Sequence, residues 1–401
     1  MRIPTIFIYF VNYFPIYMYI YMINYEYKYN FYKKKYLELK NMIGGSKIVD
    51  TNNNHVTQPK SMFINMGIRA EKIPIIGSKI SNIATEHCKK YREPDNAIER
   101  IREFAANFKI EPKTIEICQD VKTPDECWSK FRTPNDFFIR KRVGVPNHPS
   151  LYSIVSPADC YSIFLPEAEK SNVWIKGTNF TPQKLMDKNI SFANNSLFIF
   201  RLAPQHYHGY HCPVSGRVLS IKKLGKEKYS VDPIIVKSSI DVFSENVRVV
   251  IEIELYNRKA YLAIIGATCV ASVELLNPSI LHGYHTKYNN TNKLTDEEIS
   301  AYQNGLDFSD MNVMINTNEI LGNFQYGGST LVLIYPNENM KLIDIGIIIN
   351  KNSSQLKCDS DIVHFFKKLF SFIYTFDPKC KIKPIETEIK VGDNLVNYNA
   401  L

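Results

Sequence analysis

The chain has 401 residues, with 49 Lys and Arg residues against 40 Asp and Glu residues, which gives a formal net charge of +9 at pH 7. A chain of this length can hold one large domain and a smaller element. The positive charge fits an anionic partner. No basic patch with interleaved aromatic residues and no nucleic-acid motif accompanies that charge, so a nucleic-acid partner is not predicted.

The cysteines are scattered along the sequence and form no C-x-x-C pair. Several lie in or beside apolar runs, so we predict reduced and mostly buried thiols rather than a disulfide framework. They are Cys88, Cys118, Cys127, Cys160, Cys212, Cys269, Cys358 and Cys380.

Residues 1–39 are predicted to form a hydrophobic membrane anchor or a targeting segment. Residues 3–23 carry no charge and are about long enough to span a bilayer, and three lysines at 33–35 follow them. In a simple signal anchor, that positive flank would leave the rest of the chain on the cytoplasmic side. The tyrosines of the segment favour a membrane interface, and a cleaved targeting peptide or a non-spanning extension stays open. Residues 40–94 are predicted to be a polar linker.

Helices are predicted directly after the linker. Residues 97–108 repeat apolar side chains at helical spacing, and Asn96 with Glu99 forms a candidate capping box. Thr123 and Thr133 each precede a proline and have an acid three residues further on, which predicts two more helix starts.

The apolar faces of these helices predict packing against the domain that follows. Exposed faces around Phe137 and Phe138 would instead allow contact with a membrane, and the sequence leaves this alternative open.

From Leu151 onward, short strands rich in β-branched and aromatic residues dominate. Examples are residues 218–221, 249–253, 260–265 and 331–334. This pattern predicts an α+β protein with a mainly antiparallel, sandwich-like or barrel-like β core and N-terminal helices packed at one side.

Three separate motifs carry candidate catalytic side chains. Asp159 lies in a turn after a short apolar strand, and His206, His208 and His211 follow another strand. Ser329 comes after two glycines and opens an apolar run. Glycines allow strained backbone geometry beside a nucleophile. An acid, an imidazole and a hydroxyl in this order are the parts of a relay in which the carboxylate orients the imidazole and the imidazole deprotonates the hydroxyl.

With these motifs and several others, the chain resembles the phosphatidylserine decarboxylase family, and most closely its eukaryotic type II branch. The resemblance runs from about residue 95 to the end. The matching segments, in order, are 137–140, 156–160, 174–177, 201–204 with 207, 208 and 211, 241–243, 246–249, 266–268, 327–330, and 386–387 with 390–392.

The resemblance implies that Ser329 attacks the carbonyl of Gly328, with His211 as the base and Asp159 holding His211. Elimination and hydrolysis would then convert Ser329 into a covalent pyruvoyl group and release ammonia. This pyruvoyl cofactor replaces pyridoxal phosphate as the electron sink when phosphatidylserine loses carbon dioxide and becomes phosphatidylethanolamine. His208 is the family's candidate for assisting decarboxylation or reprotonation, and no metal is expected.

The same resemblance implies a catalytic domain over residues 95–401, cut between residues 328 and 329 into a large and a small subunit that stay partners. Phosphatidylserine in anionic membranes is the expected substrate, and monomer and homodimer both stay open. We predict membrane association at an endomembrane of the ER or Golgi type, with the mitochondrial inner membrane as the alternative. Residues 363–376 form an insertion relative to the family and predict an interfacial or a buried helix.

The chain departs from the family pattern at His206 and Gly209, where the family usually has Asp and Arg. These departures keep a catalytically impaired, lipid-binding relative as an alternative. A second alternative is a metal-dependent enzyme, because the sequence of residues 208–211 recurs at His282 to His285. Two H-x-x-H pairs could supply four imidazoles to a transition metal, although we place the second pair in a loop.

Overall fold

The structure is a computed structural model. It describes residues 48–49, 82, 85–86, 88–146, 153–165, 167–169, 180–231, 241–255, 258–269, 273–337, 340–342 and 386–398. The predicted membrane segment, most of the predicted linker and the insertion at residues 363–376 lie outside these ranges.

The described residues form strands, α-helices and short 3-10 turns. The strands are β1 (Ile48–Val49), β2 (Ser153–Val155), β3 (Cys160–Leu165), β4 (Asn195–Leu202), β5 (Gly209–His211), β6 (Gly216–Leu224), β7 (Arg248–Leu255), β8 (Arg258–Gly266), β9 (Val273–Leu275), β10 (Leu294–Thr295), β11 (Leu306–Asp307), β12 (Met314–Ile315), β13 (Ile320–Phe324), β14 (Ser329–Pro336), β15 (Met340–Leu342), β16 (Glu386–Ile389) and β17 (Asn394–Tyr398). The α-helices are α1 (Ala97–Phe108), α2 (Pro124–Trp128), α3 (Pro134–Phe138), α4 (Pro182–Met186), α5 (Val242–Glu245), α6 (Pro278–Tyr288) and α7 (Asp296–Ser300). Short 3-10 turns lie at Lys89–Arg92, Pro112–Thr114 and Glu116–Cys118.

The largest sheet has the strand order β1-β16-β3-β4-β14-β8-β7-β6-β11, and β12 also pairs with β6. Its pairings are antiparallel except for β1 with β16. Two smaller sheets have the orders β10-β9-β13-β5 and β15-β17-β2. The predicted α+β class with mainly antiparallel sheets is confirmed, and within the described residues the sheets do not close into a barrel.

Strand β14 lies in the middle of the largest sheet and is buried on both faces. Leu331 and Leu333 join a core that also contains residues of the four-stranded sheet, such as Leu321. Val332 and Ile334 join a second core on the other face, where α4 and α5 pack. Because successive side chains of a strand point to opposite faces, a run of apolar residues lets β14 fill both cores.

The predicted N-terminal helices pack into a cluster of their own at one side of the molecule, which we call the N-terminal layer (residues 89–142). The two Thr-Pro predictions are confirmed. Thr123 Oγ1 accepts a hydrogen bond from Glu126 N, and Thr133 forms a capping box with Asp136. The prediction of a capping box at Asn96 was wrong, because Asn96 has a left-handed backbone (φ 52°) and its side chain forms no cap hydrogen bond within the described residues.

The predicted packing of the helix faces is confirmed for Phe137 and Phe138, which are each 1% exposed, and the alternative of a membrane-facing surface there is wrong.

The loop predicted around His282 and His285 needs correction. His282 and His285 lie on α6, because Asn277 Oδ1 caps the helix by accepting from Ser279 N and Ile280 N.

The cysteine prediction was wrong for two pairs, since Cys88–Cys269 and Cys118–Cys127 are disulfides. Cys160 and Cys212 are free and buried, as predicted. The first disulfide attaches the end of the predicted linker to the residues after β8, 181 positions along the chain.

Candidate functional site

Ser329 is the first residue of β14, and it is completely buried. Its register partners are Leu202 on β4 and Gly266 on β8, so both neighbouring strands hold it in place. Strands β4 and β8 belong to the part of the chain before residue 329. A cut in front of Ser329 would therefore leave the two pieces joined by the hydrogen bonds of a shared sheet.

The peptide group before Ser329 is held by the loop after β8. Gly328 N donates to Thr268 O, and Ala267 N donates to Gly328 O, both at 3.1 Å. A backbone N–H at this distance from a carbonyl oxygen can stabilise the negative charge that develops when a nucleophile attacks that carbonyl. Gly327 has φ 146°, a backbone angle that glycine adopts without steric cost.

His208 faces the hydroxyl of Ser329, with Nδ1 at 3.3 Å from Oγ. The other ring nitrogen, Nε2, lies 3.1 Å from Ala203 O. A carbonyl oxygen can only accept a hydrogen bond, so Nε2 carries the proton in the neutral ring. Nδ1 is then free to accept the proton of the Ser329 hydroxyl.

The surroundings of His208 favour the neutral ring. Burial lowers its pKa well below the ordinary value of 6.5, and the positive charge of Arg140 lowers it further. Phe138 stacks on the imidazole with ring centroids 3.8 Å apart. Arg140 donates hydrogen bonds to Phe137 O and Gln205 O, which ties α3 to the turn that carries His208. The N-terminal layer thus helps to set both the position and the protonation of this ring.

His211 lies in a different environment. Its Nδ1 is 2.7 Å from Asn318 O, so this nitrogen carries the proton, and its Nε2 is 3.2 Å from the hydroxyl of Tyr207. Burial lowers the pKa of His211, while the hydrogen bond to Asn318 and the charge of Asp159 oppose that shift.

Asp159 is 4% exposed and is held by two groups. Its Oδ1 accepts from Val391 N at 3.0 Å, and its Oδ2 lies 3.2 Å from Arg142 Nε. The structure therefore brings Ser329, Gly328 and His208 together, and it places Asp159 and His211 near one another with hydrogen bonds to other partners. The relay roles that the resemblance gives to Asp159 and His211 stay predictions.

The two departures from the family pattern both lie beside these residues. A Cβ atom built on Gly209 would lie 2.0 Å from the hydroxyl oxygen of Tyr207, so the Tyr207 ring fills the space of a larger side chain. His206 Nδ1 accepts from Ala203 N at 3.0 Å, and its Nε2 faces Glu388 at 3.8 Å. Burial lowers the pKa of His206, so this ring favours its neutral form.

Sequence reasoning found Ser329, Gly328 and His208 but missed several residues that hold them. The Ala267 N–H was missed because backbone donors leave no trace in residue type. Arg140 and residues 266–268 lie in segments that match the family. That match was the only indication in the sequence that they matter, and it did not assign them a role.

Two observations concern the other predictions. In the part of the chain that the structure describes, no group of three or more His, Cys, Asp or Glu side chains is arranged to hold a metal ion. Among the same residues, no helix has the length and apolar character that crossing a bilayer requires.

Comparison with known families gives a match over residues 135–364 to the model described as phosphatidylserine decarboxylase. Among curated relatives, phosphatidylserine decarboxylase proenzyme 2 of Komagataella phaffii is 32% identical over 244 residues, which are 57% of this chain and 21% of that protein. The proenzyme 2 of Saccharomyces cerevisiae is 32% identical over 289 residues, with 67% of this chain and 22% of that protein covered.

A bacterial relative, the phosphatidylserine decarboxylase proenzyme of Fusobacterium nucleatum, is 27% identical over 270 residues, which are 65% of this chain and 75% of that protein. The chain thus spans about a fifth of the length of the two yeast relatives, at 21% and 22%, and most of the bacterial one.

Proposed function

The chain belongs to the phosphatidylserine decarboxylase family, and on that premise we propose that it cuts itself between Gly328 and Ser329 and decarboxylates phosphatidylserine. The observation that carries the proposal is the contact of the Ser329 hydroxyl with His208 Nδ1 at 3.3 Å, beside a Gly328 carbonyl that accepts from Ala267 N. The name proenzyme, which the relatives share, supports processing of the chain.

The first step is a shift of the Gly328 acyl group from nitrogen to oxygen. His208 Nδ1 takes the proton of the Ser329 hydroxyl while Oγ bonds to the Gly328 carbonyl carbon. The Ala267 N–H stabilises the oxyanion. When the C–N bond breaks, the proton on His208 passes to the departing nitrogen, and the chain is left joined by an ester.

The second step releases the ester. His208, neutral again after the first step, takes the Ser329 α-proton while the Cβ–Oγ bond breaks and Gly328 departs as a carboxylate. Water then hydrolyses the resulting dehydroalanine to a pyruvoyl group and ammonia. The environment of Ser329 supports its conversion into this group, because the residue is buried, held by two strands and in contact with a base. The pyruvoyl ketone supplies an electron sink for the loss of carbon dioxide.

The choice of His208 as the base differs from the role that the resemblance implies. In the family pattern, His211 with Asp159 activates the serine and His208 serves the decarboxylation. The contacts here favour His208 for the first proton transfer, since the accepting nitrogen of His211 is already occupied by the Tyr207 hydroxyl. The same ring would then move a proton during decarboxylation, which is the role that the family pattern gives to His208.

Phosphatidylserine in an anionic membrane is the proposed substrate. The net charge of +9 supports it, because a positive protein is attracted to anionic headgroups. Membrane association, and a small subunit held to the large one through β14, follow from the same proposal.

The test is intact mass spectrometry of the full-length chain beside a Ser329→Ala variant, with Ser244→Ala on α5 as the control for losing a buried serine hydroxyl. We expect two fragments from the wild type and the control, the smaller beginning with a pyruvoyl group, and one intact chain from Ser329→Ala. A folded wild-type chain that stays uncut would overturn the proposal and favour a lipid-binding relative without activity.

A further inference from the structure

Asn135, on the first turn of α3, contacts the chain just before the proposed cut. Its Oδ1 accepts from Tyr326 N at 2.8 Å, and its Nδ2 donates to Gln325 Oε1 at 2.7 Å. The side chain is nearly buried, at 7% exposed. One amide therefore binds both the backbone and a side chain of a segment that lies about 190 positions away in the sequence.

The ring of Tyr326 is held by the same layer. It stacks on Tyr91 with centroids 4.1 Å apart and planes within 10°, and it lies 4.9 Å from Phe138. Phe138 in turn stacks on His208. The N-terminal layer thus contacts the segment before the cut on one side and the proposed base on the other.

The chain is fixed on both sides of the bond between Gly328 and Ser329. Downstream, Ser329 is paired with β4 and β8. Upstream, Tyr326 is held by Asn135 and by its stacked ring. Between these anchors lie Gly327, at a backbone angle that favours glycine, and Gly328, whose N–H and carbonyl are bonded to the loop after β8.

We propose that Asn135 is a positioning residue for self-cleavage, an inference that rests on the proposed function. By fixing Tyr326, it limits the motion of the two glycines, so that the Gly328 carbonyl stays directed at Ala267 N and within reach of Ser329 Oγ. Holding reacting groups in place removes much of the entropy cost of a reaction, and a displacement of about 1 Å can cost roughly 100-fold in rate.

The amide chemistry of Asn135 suggests the variants. Leu has nearly the same shape but offers neither a donor nor an acceptor. Asp keeps an acceptor for Tyr326 N and loses the donor to Gln325, whose Nε2 already donates to Glu274 Oε2 at 3.4 Å. Asn135→Asp therefore keeps the contact with the Tyr326 backbone and removes the contact with the Gln325 side chain.

The first experiment follows the cleavage rate of freshly synthesised full-length chain by gel and mass spectrometry. We expect Asn135→Leu to slow cleavage by roughly 10- to 100-fold, and Asn135→Asp to cleave faster than Asn135→Leu because it keeps the acceptor for Tyr326 N. Gln119→Leu is the matched control, because Gln119 also donates two hydrogen bonds within the N-terminal layer, to Lys113 O and Ile115 O. Should Asn135→Leu fail to fold, Asn135→Ala removes the same groups without adding bulk.

Wild-type cleavage rates in folded Asn135→Leu or Asn135→Ala would overturn the inference, and so would an Asn135→Asp variant as slow as the Leu variant.

A second measurement separates this inference from the proposed function. In the uncut Ser329→Ala chain, amide hydrogen exchange at Tyr326 reports the anchor without any chemistry. We expect Asn135→Leu to raise the exchange rate of the Tyr326 amide by at least about 10-fold, and Gln119→Leu to leave it unchanged. Unchanged exchange would overturn the anchor even where the wild type cleaves, whereas an uncut wild type would overturn the proposed function together with the role built on it.

Discussion

His208 and His211 are three positions apart, yet they lie in two different environments. His208 faces Ser329 and the N-terminal layer, where Nδ1 meets the serine hydroxyl and Phe138 covers the ring. His211 lies between Tyr207 and Asn318, with its carboxylate neighbour Asp159 bonded to other groups.

The end of the strand separates the two rings. His211 is the last residue of β5 (Gly209–His211), whereas His208 lies in the irregular segment before that strand. Tyr207, from the same segment, fills the space beside Gly209 and reaches His211 with its hydroxyl. The two imidazoles therefore lie in different sites although they are close in the sequence.

The two rings also differ in the nitrogen that can accept a proton. In His208 the accepting nitrogen faces the nucleophile, whereas in His211 it faces the Tyr207 hydroxyl. Burial lowers the pKa of both rings, although the hydrogen bond to Asn318 and the charge of Asp159 oppose that shift in His211. The position of the accepting nitrogen, and not the pKa, makes His208 the acceptor for Ser329 in this arrangement.

The largest expected effect comes from removing each ring in turn. We expect His208→Gln to slow self-cleavage by roughly 100- to 10,000-fold, the usual contribution of a positioned base, and His211→Gln to slow it far less. Intact mass measured over time after synthesis gives both rates. The reverse order, with His211→Gln blocked and His208→Gln cut normally, would restore the Asp159–His211 relay that the family resemblance implies.

A smaller effect, on the stability of the fold, is expected from a substitution at Gly209, next to Tyr207 and His211. Because a Cβ atom on Gly209 would overlap the Tyr207 hydroxyl, Gly209→Ala should lower the free energy of unfolding by about 1–3 kcal/mol. Denaturant unfolding of the uncut Ser329→Ala chain measures it.

The control for that prediction is the same substitution in a Tyr207→Ala background. With the ring removed, Gly209→Ala should cost little more than Tyr207→Ala alone. If Gly209→Ala lowered the free energy of unfolding equally with and without Tyr207, overlap with the Tyr207 ring would not be the reason for a glycine at this position.

Much of the fold could be predicted because the signals were local. A threonine before a proline, with an acid three residues on, specifies a helix start almost by itself, and Thr123 and Thr133 both cap helices. The apolar run after Ser329 specified a buried strand. The Cys88–Cys269 disulfide could not be predicted in this way, since its halves are 181 positions apart and meet only in the folded chain.

The site was partly predictable for a related reason. Ser329 and His208 carry reactive groups that stand out in a motif. Asn135 looks like any polar residue in a first helical turn, and its contact with Tyr326 arises from tertiary packing. The different partners of His208 and His211 were equally hidden, because Ser329 and Asn318 are distant in the sequence and meet the two rings only in the folded chain.

The smallest expected effect is on the loss of stability at acid pH, to which His208 and His211 both contribute. Both folded-state pKa values are lowered below 6.5, so above that pH the rings are neutral whether the chain is folded or unfolded. As the pH falls below about 6.5, the unfolded chain binds protons that the folded chain excludes, and stability is lost until the pH reaches each folded-state pKa.

Each histidine should contribute about 1.4 kcal/mol per pH unit to that loss. Denaturant unfolding of the Ser329→Ala chain between about pH 7 and pH 5 should therefore show a shallower acid slope in both the His208→Gln and the His211→Gln variants. The loss due to His208 should extend to lower pH, because its pKa is lowered furthest and no carboxylate opposes the shift. If the slope changed only in the His211 variant, the pKa of His208 in the folded chain would equal its value in the unfolded chain, and burial would not disfavour protonation of this ring.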